Sequence, residues 1–346
     1  RIYARTSPDR ARDEAMAAAA RARAGQRRGL LDGVPLSWKD LFDSAGIATE
    51  AGSALLAGRV PGRDAEVLAR ATRAGAVCLG KTHMSELAFS GLGLNPVTQT
   101  PPNINFPGAV PGGSSSGAAA SVAFGLAPAA VGSDTGGSVR IPAAWNDLVG
   151  FKTSAGALPL DGTLPLAESF DTIGPICRSV EDCAEILALL EGRPAPDLTG
   201  AQMAGSRLLV LETVALDDLR AAPARGFEAA LARLEAQGAR LERRRLPFVS
   251  EAMALSAILF TAEAYGIWRD TIEAAPERMF GRILERFRSG ADFRAHDFVA
   301  AWRSLRALRL NWAEAVAGFD AVVLPTAPIL PPDAARLLSD DDYYVT

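Results

Sequence analysis

A long stretch without charged side chains constrains this chain more than any other sequence feature. Residues 87–133 contain no Asp, Glu, Lys or Arg. A membrane-spanning helix needs about 20 consecutive apolar residues, and the prolines, glycines and serines of this stretch leave no such run. We therefore expect loops and short elements buried inside a globular protein, with their backbone polar groups satisfied by neighbouring residues.

The composition is that of a globular protein whose core needs no metal or disulfide. The chain has 346 residues, of which 49% are hydrophobic and 22% charged. Its net charge of −4 argues against a nucleic-acid-binding surface, since the basic clusters at 27–28 and 243–245 are short. The three cysteines form no CxxC or Cys/His cluster, so we expect no metal site and a reducing, cytoplasmic location.

Helical and strand-like patterns alternate along most of the chain. Pro8 at the first helical position, Ser7 as a cap and Gly25 as a stop predict the first helix. The alternation predicts an α/β sandwich with a partly parallel sheet. The predicted helices are 8–24, 64–74, 115–124, 139–146, 179–191 and 222–236. The predicted strands are 34–38, 76–79, 129–132, 207–211, 239–245 and 321–324.

The second half of the chain differs from the first in its pattern. Residues 249–318 are almost purely helical, and their large aromatic residues are spaced as core faces. Residues 193–205 are the predicted surface connection between the two halves. The aromatic residues in question are Trp268, Phe280, Phe287, Trp302 and Trp312.

Lysine is nearly absent from the chain. Of its 36 basic residues only Lys39, Lys81 and Lys152 are lysines. The chain uses arginine wherever a positive charge is sufficient, but guanidinium does not lose its proton in a protein and so cannot supply a neutral amine. A lysine that remains can mark a position where a neutral amine is required.

Residues 75–82 read G-A-V-C-L-G-K-T and match the phosphate-loop pattern GxxxxGKT. That motif needs a strand before its first glycine and an exposed loop between the glycines. Here a charged helix precedes the first glycine, and the intervening residues are themselves the predicted apolar strand. We interpret this match as a coincidence, and a buried strand here would exclude nucleotide binding by this segment.

Residues 113–117 read G-S-S-S-G and match the nucleophile elbow of α/β-hydrolases, with Ser115 as nucleophile. The proline-rich residues before it do not fit the strand that the elbow requires. The elbow also needs a later histidine, and the chain contains only His83 and His296. His296 alone would have to serve, so an esterase using Ser115 remains an alternative.

A third motif gives a better candidate nucleophile. Residues 133–140 read S-D-T-G-G-S-V-R and lie between a buried strand and a helix. The backbone amides of Thr135, Gly136 and Gly137 can point at one spot there and stabilise the oxyanion that forms when Ser138 attacks a carbonyl. Ser138 needs a base, and with so few histidines a neutral Lys39 suits that role. A plain tight turn remains the alternative for this motif taken alone.

Taken together, these segments resemble the amidase signature family, whose members use a Ser–cis-Ser–Lys triad. The order, spacing and residue types of six motifs agree with that family. The matching segments are residues 33–40, 80–88, 112–117, 132–143, 150–153 and 171–175.

The resemblance implies a site and a fold. Lys39 would be the base, Ser114 the bridging serine in a cis peptide, and Ser138 the nucleophile that forms an acyl-enzyme. The fold would be an α/β sandwich around a large mixed, partly parallel sheet covered by helices. The supporting residues would be Ser116, Asp134 and Arg140, and we expect the last two to pair with each other for structural reasons.

The resemblance also implies what the protein acts on. Family members hydrolyse amides, and residues 89–96 are more similar to members acting on small amides than to the tRNA-amidating subunit. We expect a small amide and water as partners, no cofactor, no metal, no nucleic acid and no membrane, and the resemblance leaves room for a homodimer. A non-catalytic assembly subunit with the same motifs remains an alternative.

The expected domain organisation is a single amidase domain over residues 1–346. Residues 1–192 would carry the catalytic motifs, and residues 206–328 would form a helix-rich half that shapes the substrate pocket. Family members usually begin before the position of Arg1 and continue past that of Thr346, so we expect the sequence to be truncated at both ends.

Overall fold

The computed structural model describes residues 1–339, which divide into two compact units. The first unit comprises Arg1–Asp197, Ile267–Arg286 and, of the described residues, 331–339. The second comprises Leu198–Gly266 and Phe287–Leu330.

The first unit contains a six-stranded mixed sheet. Its strand order is β1-β3-β2-β4-β6-β5, with β2 parallel to both β3 and β4 and the other pairs antiparallel. The strands are β1 (Tyr3–Thr6), β2 (Pro35–Lys39), β3 (Val77–Thr82), β4 (Ala129–Asp134), β5 (Val149–Gly150) and β6 (Thr172–Cys177). The predicted α/β class with a mixed, partly parallel sheet is confirmed.

Five α-helices accompany this sheet in the first 197 residues. Pro8 begins the first helix as predicted, but Ser7 makes no side-chain cap bond. The Ser7 hydroxyl instead donates to the Cys78 carbonyl at 2.8 Å, which ties the helix start to β3. The helices are α1 (Pro8–Arg23), α2 (Glu66–Arg73), α3 (Ser116–Ala123), α4 (Arg140–Trp145) and α5 (Val180–Glu191).

The second unit contains a separate, fully parallel sheet in the order β8-β7-β9. Within residues 1–339 its three strands pair with one another. The strands are β7 (Arg207–Leu211), β8 (Arg240–Arg244) and β9 (Ala321–Val323). The remaining α-helices of residues 1–339 are α6 (Ala221–Ala236), α7 (Phe248–Ala254), α8 (Ser256–Ala274), α9 (Gly281–Arg288), α10 (Ala295–Val316) and α11 (Ala334–Ser339).

The aromatic residues predicted as core differ in their burial. Trp268 and Phe287 are buried, whereas Phe280, Trp302 and Trp312 are only half-buried. By length and composition the helical stretch Phe248–Ala274 could cross a membrane, a property it shares with core helices. The absence of a membrane partner therefore stays a prediction.

Much of the uncharged stretch is buried, as expected from its composition. Residues 110–122 are buried throughout, whereas residues 104–108 are exposed. Asparagine side chains satisfy the buried loop backbone. The Asn95 amide donates to the carbonyls of Gly52 and Met84, both at 2.8 Å, and its oxygen accepts from two backbone N–H groups. These polar clamps hold the loops without charged groups.

Candidate active site

Two parallel strands bring the candidate site together. Lys39 is the last residue of β2, and the neighbouring parallel strand β4 ends at Asp134. Parallel neighbours end at the same edge of a sheet, so the chain after β4 emerges beside Lys39. Ser138 lies in the turn between β4 and α4, and Ser114 lies in the loop before α3.

Lys39 is completely buried and surrounded by hydroxyl and carbonyl oxygens. Its Nζ lies 2.7 Å from Ser114 Oγ, 2.7 Å from Ser133 Oγ and 3.4 Å from the Ser133 carbonyl. Burial lowers the pKa of Lys39 to about 7, because a charged amine loses its hydration, and the negative charges of Asp171 and Asp134 oppose this effect. A substantial fraction of this amine is therefore neutral near pH 7.

Backbone hydrogen bonds hold Ser114 and Ser138 in neighbouring loops. The Gly113–Ser114 peptide is cis, as the resemblance implied. The Ser85 amide donates to the Ser114 carbonyl at 3.1 Å, and the Ser115 amide donates to the Ser138 carbonyl at 3.1 Å. Among residues 1–339 no hydrogen bond joins the hydroxyls of Ser114 and Ser138. Lys39 therefore contacts the Ser114 hydroxyl directly, whereas Ser138 is connected to the Ser114 loop by the backbone hydrogen bond from Ser115.

Asp134 organises the turn that carries Ser138. Its carboxylate accepts from the amides of Gly137 at 2.7 Å and Val139 at 3.1 Å. Arg140 binds the same carboxylate with two hydrogen bonds of 2.9 Å, which is the structural pairing expected from the sequence. Burial acts to raise the pKa of the Asp134 carboxyl, but the charge and hydrogen bonds of Arg140 and the two amides together outweigh it and hold that pKa below its usual value.

The bond from Gly137 to Asp134 bears on the oxyanion hole of Thr135, Gly136 and Gly137, which stays a prediction. The Gly137 amide already donates to a carboxylate at 2.7 Å. The amides of Thr135, Gly136 and Ser138 make no hydrogen bond to Asp134, so they are candidate donors in this turn.

Two residues near the site had no role in the sequence-based prediction. Ser133 lies within hydrogen-bonding distance of Lys39 through both its hydroxyl and its carbonyl. Asp171 accepts a hydrogen bond from the Thr135 hydroxyl and is held by the amides of Leu166 at 2.8 Å and Ala167 at 3.1 Å. Both residues belong to motifs that the sequence singled out, which is the signal that could have found them.

Ser116, predicted as a supporting residue, lies one step away from this cluster. It is buried in the first turn of α3, and its hydroxyl donates to the His83 carbonyl at 3.3 Å. That bond attaches α3 to the end of β3. Among the hydrogen bonds of residues 1–339, none joins its side chain to Lys39, Ser114 or Ser138.

The phosphate-loop interpretation of residues 75–82 is excluded by the structure. Most of the segment is strand β3, and its lysine, Lys81, is completely buried. The Lys81 amine donates to the Phe42 carbonyl and to the Thr49 hydroxyl, and lies 3.3 Å from the Asp40 carboxylate. No exposed loop exists there that could surround a phosphate.

The elbow interpretation with Ser115 as nucleophile gains no support from the structure. Ser115 is completely buried, and its hydroxyl donates to the Ser133 carbonyl at 3.1 Å. The later histidine, His296, has a side chain that is 73% exposed and lies in the second unit. The imidazole of His83 is buried, and burial lowers its pKa to about 4.

Sequence comparisons identify the family of this chain. The profile of the Amidase family matches residues 2–346. A glutamyl-tRNA(Gln) amidotransferase subunit of Anaeromyxobacter sp. (strain K) is 44% identical over 195 residues, which are 56% of this chain and 40% of that protein. The 2-amino-5-chloromuconic acid deaminase of Comamonas testosteroni is 34% identical over 327 residues, 92% of this chain and 70% of that protein.

Solved structures show the same fold. A crystal structure of an amidase superposes with a TM-score of 0.87 at 35% identity, covering 96% of this chain and 75% of that one. The peptide amidase of Stenotrophomonas maltophilia superposes with a TM-score of 0.79 at 29% identity, covering 95% of this chain and 78% of that one.

Proposed function

Because this chain belongs to the amidase signature family, we propose that it hydrolyses a carboxamide C–N bond through an acyl-enzyme. In this proposal Ser138 is the nucleophile, Ser114 the proton relay and neutral Lys39 the general base. No metal or organic cofactor takes part. The region matched to the amidotransferase subunit named above spans 40% of that protein's length. The activity is therefore proposed for this protein and is not carried over from that relative.

The first half-reaction forms the acyl-enzyme. Lys39 accepts a proton from Ser114, which accepts one from Ser138 as Ser138 Oγ attacks the amide carbonyl carbon. The oxyanion is stabilised by backbone amides of the turn at Thr135, Gly136 and Ser138. The tetrahedral intermediate then collapses, the C–N bond breaks, and the relay returns its proton to the departing nitrogen. Water hydrolyses the acyl-enzyme by the reverse route.

The hydrogen-bonding distance between Lys39 and Ser114 carries this proposal. An amine at 2.7 Å from a hydroxyl, fully buried and with a pKa of about 7, has the position and the basicity of a general base at neutral pH. The missing hydrogen bond between Ser114 and Ser138 does not contradict the relay, because catalytic hydrogen bonds often tighten only when substrate is bound.

A serine-directed fluorophosphonate tests the nucleophile. We expect the phosphonate to label Ser138, and mass spectrometry of the labelled protein to locate the modification there. Ser138→Ala should abolish labelling and ammonia release together. Label on Ser115 would move the assignment to the elbow interpretation, and a folded wild-type protein that takes up no label would indicate a non-catalytic subunit.

The similarity to an amidotransferase component supports a second candidate function. A component of that kind would act within an assembly, whereas the interpretation of residues 89–96 favours a small amide as substrate. Ammonia release should be compared for aliphatic, aromatic and carboxylated amides, with glutamine included. Turnover of small amides by the isolated protein supports the amidase, and turnover of glutamine alone supports the amidotransferase component.

The proposal also includes a cytoplasmic location and a small-molecule partner. The three cysteines are free and buried, which suits a reducing compartment. A homodimer stays a prediction that size-exclusion chromatography with light scattering would test.

A further inference from the structure

The amine of Lys39 has three oxygen neighbours, and one residue supplies two of them. Ser133 contributes its hydroxyl at 2.7 Å and its carbonyl at 3.4 Å, and Ser114 contributes its hydroxyl at 2.7 Å. Ser133 is buried, so these oxygens are screened from bulk water.

The number of N–H donors and lone pairs on a neutral amine determines which of these three oxygens can accept a hydrogen bond from it and which can donate to it. A neutral lysine has two N–H donors and one lone pair, whereas the charged form has three donors and no lone pair. The lone pair must face the Ser114 hydroxyl if Lys39 is to take its proton. The two N–H groups then need other acceptors, because a buried donor without a partner is costly.

We propose that Ser133 is a positioning residue that accepts both N–H groups of neutral Lys39 and so directs the amine lone pair at Ser114. This inference rests on the proposed function, since it assigns the geometry of the same base. In the charged state the same two oxygens still accept, and the third N–H donates to Ser114. Only the bond to Ser114 reverses its direction during proton transfer.

The fold keeps Ser133 in place for this role. Ser133 lies in β4, where it pairs with Ile173 of β6 and is followed by Asp134, the residue that holds the turn. Its carbonyl also accepts from the Ser115 hydroxyl at 3.1 Å. Ser133 is therefore held by the pairing of β4 with β6 and by the hydrogen bond from Ser115.

The test compares the rate of fluorophosphonate labelling of Ser138 as a function of pH in four proteins. They are the wild type, Ser133→Ala, Ser133→Thr and Ser121→Ala. Ser121 is a matched control, because it is a buried serine whose hydroxyl donates to the Ala118 carbonyl at 2.8 Å, away from Lys39. Thermal unfolding of each variant verifies that it is folded.

Ser133→Ala should lower the maximal labelling rate about tenfold, the effect of one lost hydrogen bond at the base. Its acid limb should also move to lower pH, because removing an acceptor from the charged amine favours the neutral form. The carboxylates that act on Lys39, Asp171 and Asp134, are unchanged in all four proteins. Ser133→Thr retains the hydroxyl and should restore the rate to within about threefold, and Ser121→Ala should match the wild type.

Three results would overturn the inference. An acid limb that moves to higher pH in Ser133→Ala would mean that Ser133 donates to the lone pair and does not accept from the amine. An unchanged rate and pH profile in that variant would remove the role altogether. A folded Ser133→Thr as slow as Ser133→Ala would show that the hydroxyl is not what matters. Absence of labelling in the wild type would instead count against the proposed function, so the two failures are distinguishable.

Discussion

Lys39 is the residue at which charge and proton transfer can be separated by substitution. Lys39→Arg retains the charge and Lys39→Met removes it, but neither side chain can accept a proton near neutral pH. We expect both variants to lose amide hydrolysis by at least about 100-fold in kcat, the lower end of what general bases contribute. Ammonia release at saturating substrate measures the effect, and circular dichroism verifies folding.

An arginine variant that keeps a tenth of the wild-type kcat would contradict the neutral-lysine mechanism. The chain uses arginine for nearly every other positive charge, so a purely electrostatic role at position 39 should tolerate it. Ser114→Ala should retain more activity than either Lys39 variant, because a water molecule can bridge Lys39 and Ser138 once the hydroxyl is removed.

The pH profile of the wild type follows from the buried amine. Burial holds the pKa of Lys39 at about 7, so its neutral form increases as pH rises through that value. We therefore expect kcat/KM to increase with pH across neutrality and then level off. A profile that falls over this range would show that the charged form of Lys39 is the active one.

Asp171→Asn should change this profile in a defined direction. Asp171 makes the largest contribution that raises the pKa of Lys39, so loss of its negative charge should lower that pKa and move the acid limb to lower pH. The maximal rate should also fall, because the Thr135 hydroxyl donates to Asp171 beside the candidate oxyanion amides. An acid limb that stays in place or moves to higher pH would contradict this electrostatic role.

At the residue scale, motif spacing predicted the pairing of Lys39 with Ser114 but not how the surrounding polar atoms are used. The Gly137 amide fits an oxyanion hole by sequence, yet it donates to Asp134. Ser133 occupies an ordinary strand position by sequence, yet its two oxygens face the amine. Both outcomes depend on side-chain direction and on a turn path, which residue types alone do not specify.

At the element scale, helix α3 approaches other backbone so closely that only glycine fits at one position. A Cβ atom on Gly117 would lie 2.7 Å from three backbone atoms, two of His83 and one of Ile2. We expect Gly117→Ala to lower the stability of the protein by about 1–3 kcal/mol, the usual cost of overpacking. The shift of α3 should also reduce activity, because Ser114 and Ser115 lead into this helix. Thermal unfolding and ammonia release measure both effects.

Gly226 in α6 is the matched control for Gly117. It is also a helical glycine, but nothing lies within 4 Å of a Cβ added there. Gly226→Ala should therefore be stabilising by about 0.5–1 kcal/mol through helix propensity. If Gly117→Ala were as stable as Gly226→Ala, the close approach of α3 would not constrain the sequence.

The sequence predicted strands β2, β3, β4, β7, β8 and β9, but it predicted neither β1, β5 and β6 nor the strand ends. The apolar pattern predicted a strand over 76–79, but β3 continues to Thr82 because its last residues pair with β1 and β2. Lys81 lies in that extension, where a carbonyl, a hydroxyl and the Asp40 carboxylate surround its buried amine. A strand that buries a compensated charge is not visible to a method based on hydrophobic patterning.

At the scale of the whole molecule, the two compact units do not follow the order of the chain. The predicted connection at 193–205 contains the change of unit after Asp197. The segments Ile267–Arg286 and 331–339 then return to the first unit. In this return the Phe280 amide donates to the Glu86 carboxylate at 2.9 Å, and Arg286 donates to the Phe89 carbonyl at 3.1 Å. Such contacts between distant segments have no local sequence signal.

Two buried titratable groups of the first unit should oppose each other in the pH dependence of stability. Burial lowers the pKa of His83 to about 4 from an ordinary value of 6.5, and raises the pKa of Glu86 to about 7 from 4.5. Between pH 6.5 and about 4 the unfolded chain binds more protons at His83 than the folded chain does, so acidification through this range destabilises the fold. The folded state binds more protons at Glu86, so acidification stabilises it there.

The two effects should oppose each other between pH 6.5 and 4.5, each being on the order of 2 kcal/mol. Glu86→Gln leaves the histidine effect alone, so its free energy of unfolding should fall more steeply on acidification than that of the wild type. His83→Asn leaves only the glutamate effect, so its free energy of unfolding should rise on acidification relative to that of the wild type. Urea denaturation of the three proteins at both pH values measures these differences. Lys39 is present in all three proteins, so its own titration cancels when they are compared. Three parallel changes would show that neither buried group is linked to folding, because groups shared by all three proteins cancel in the comparison.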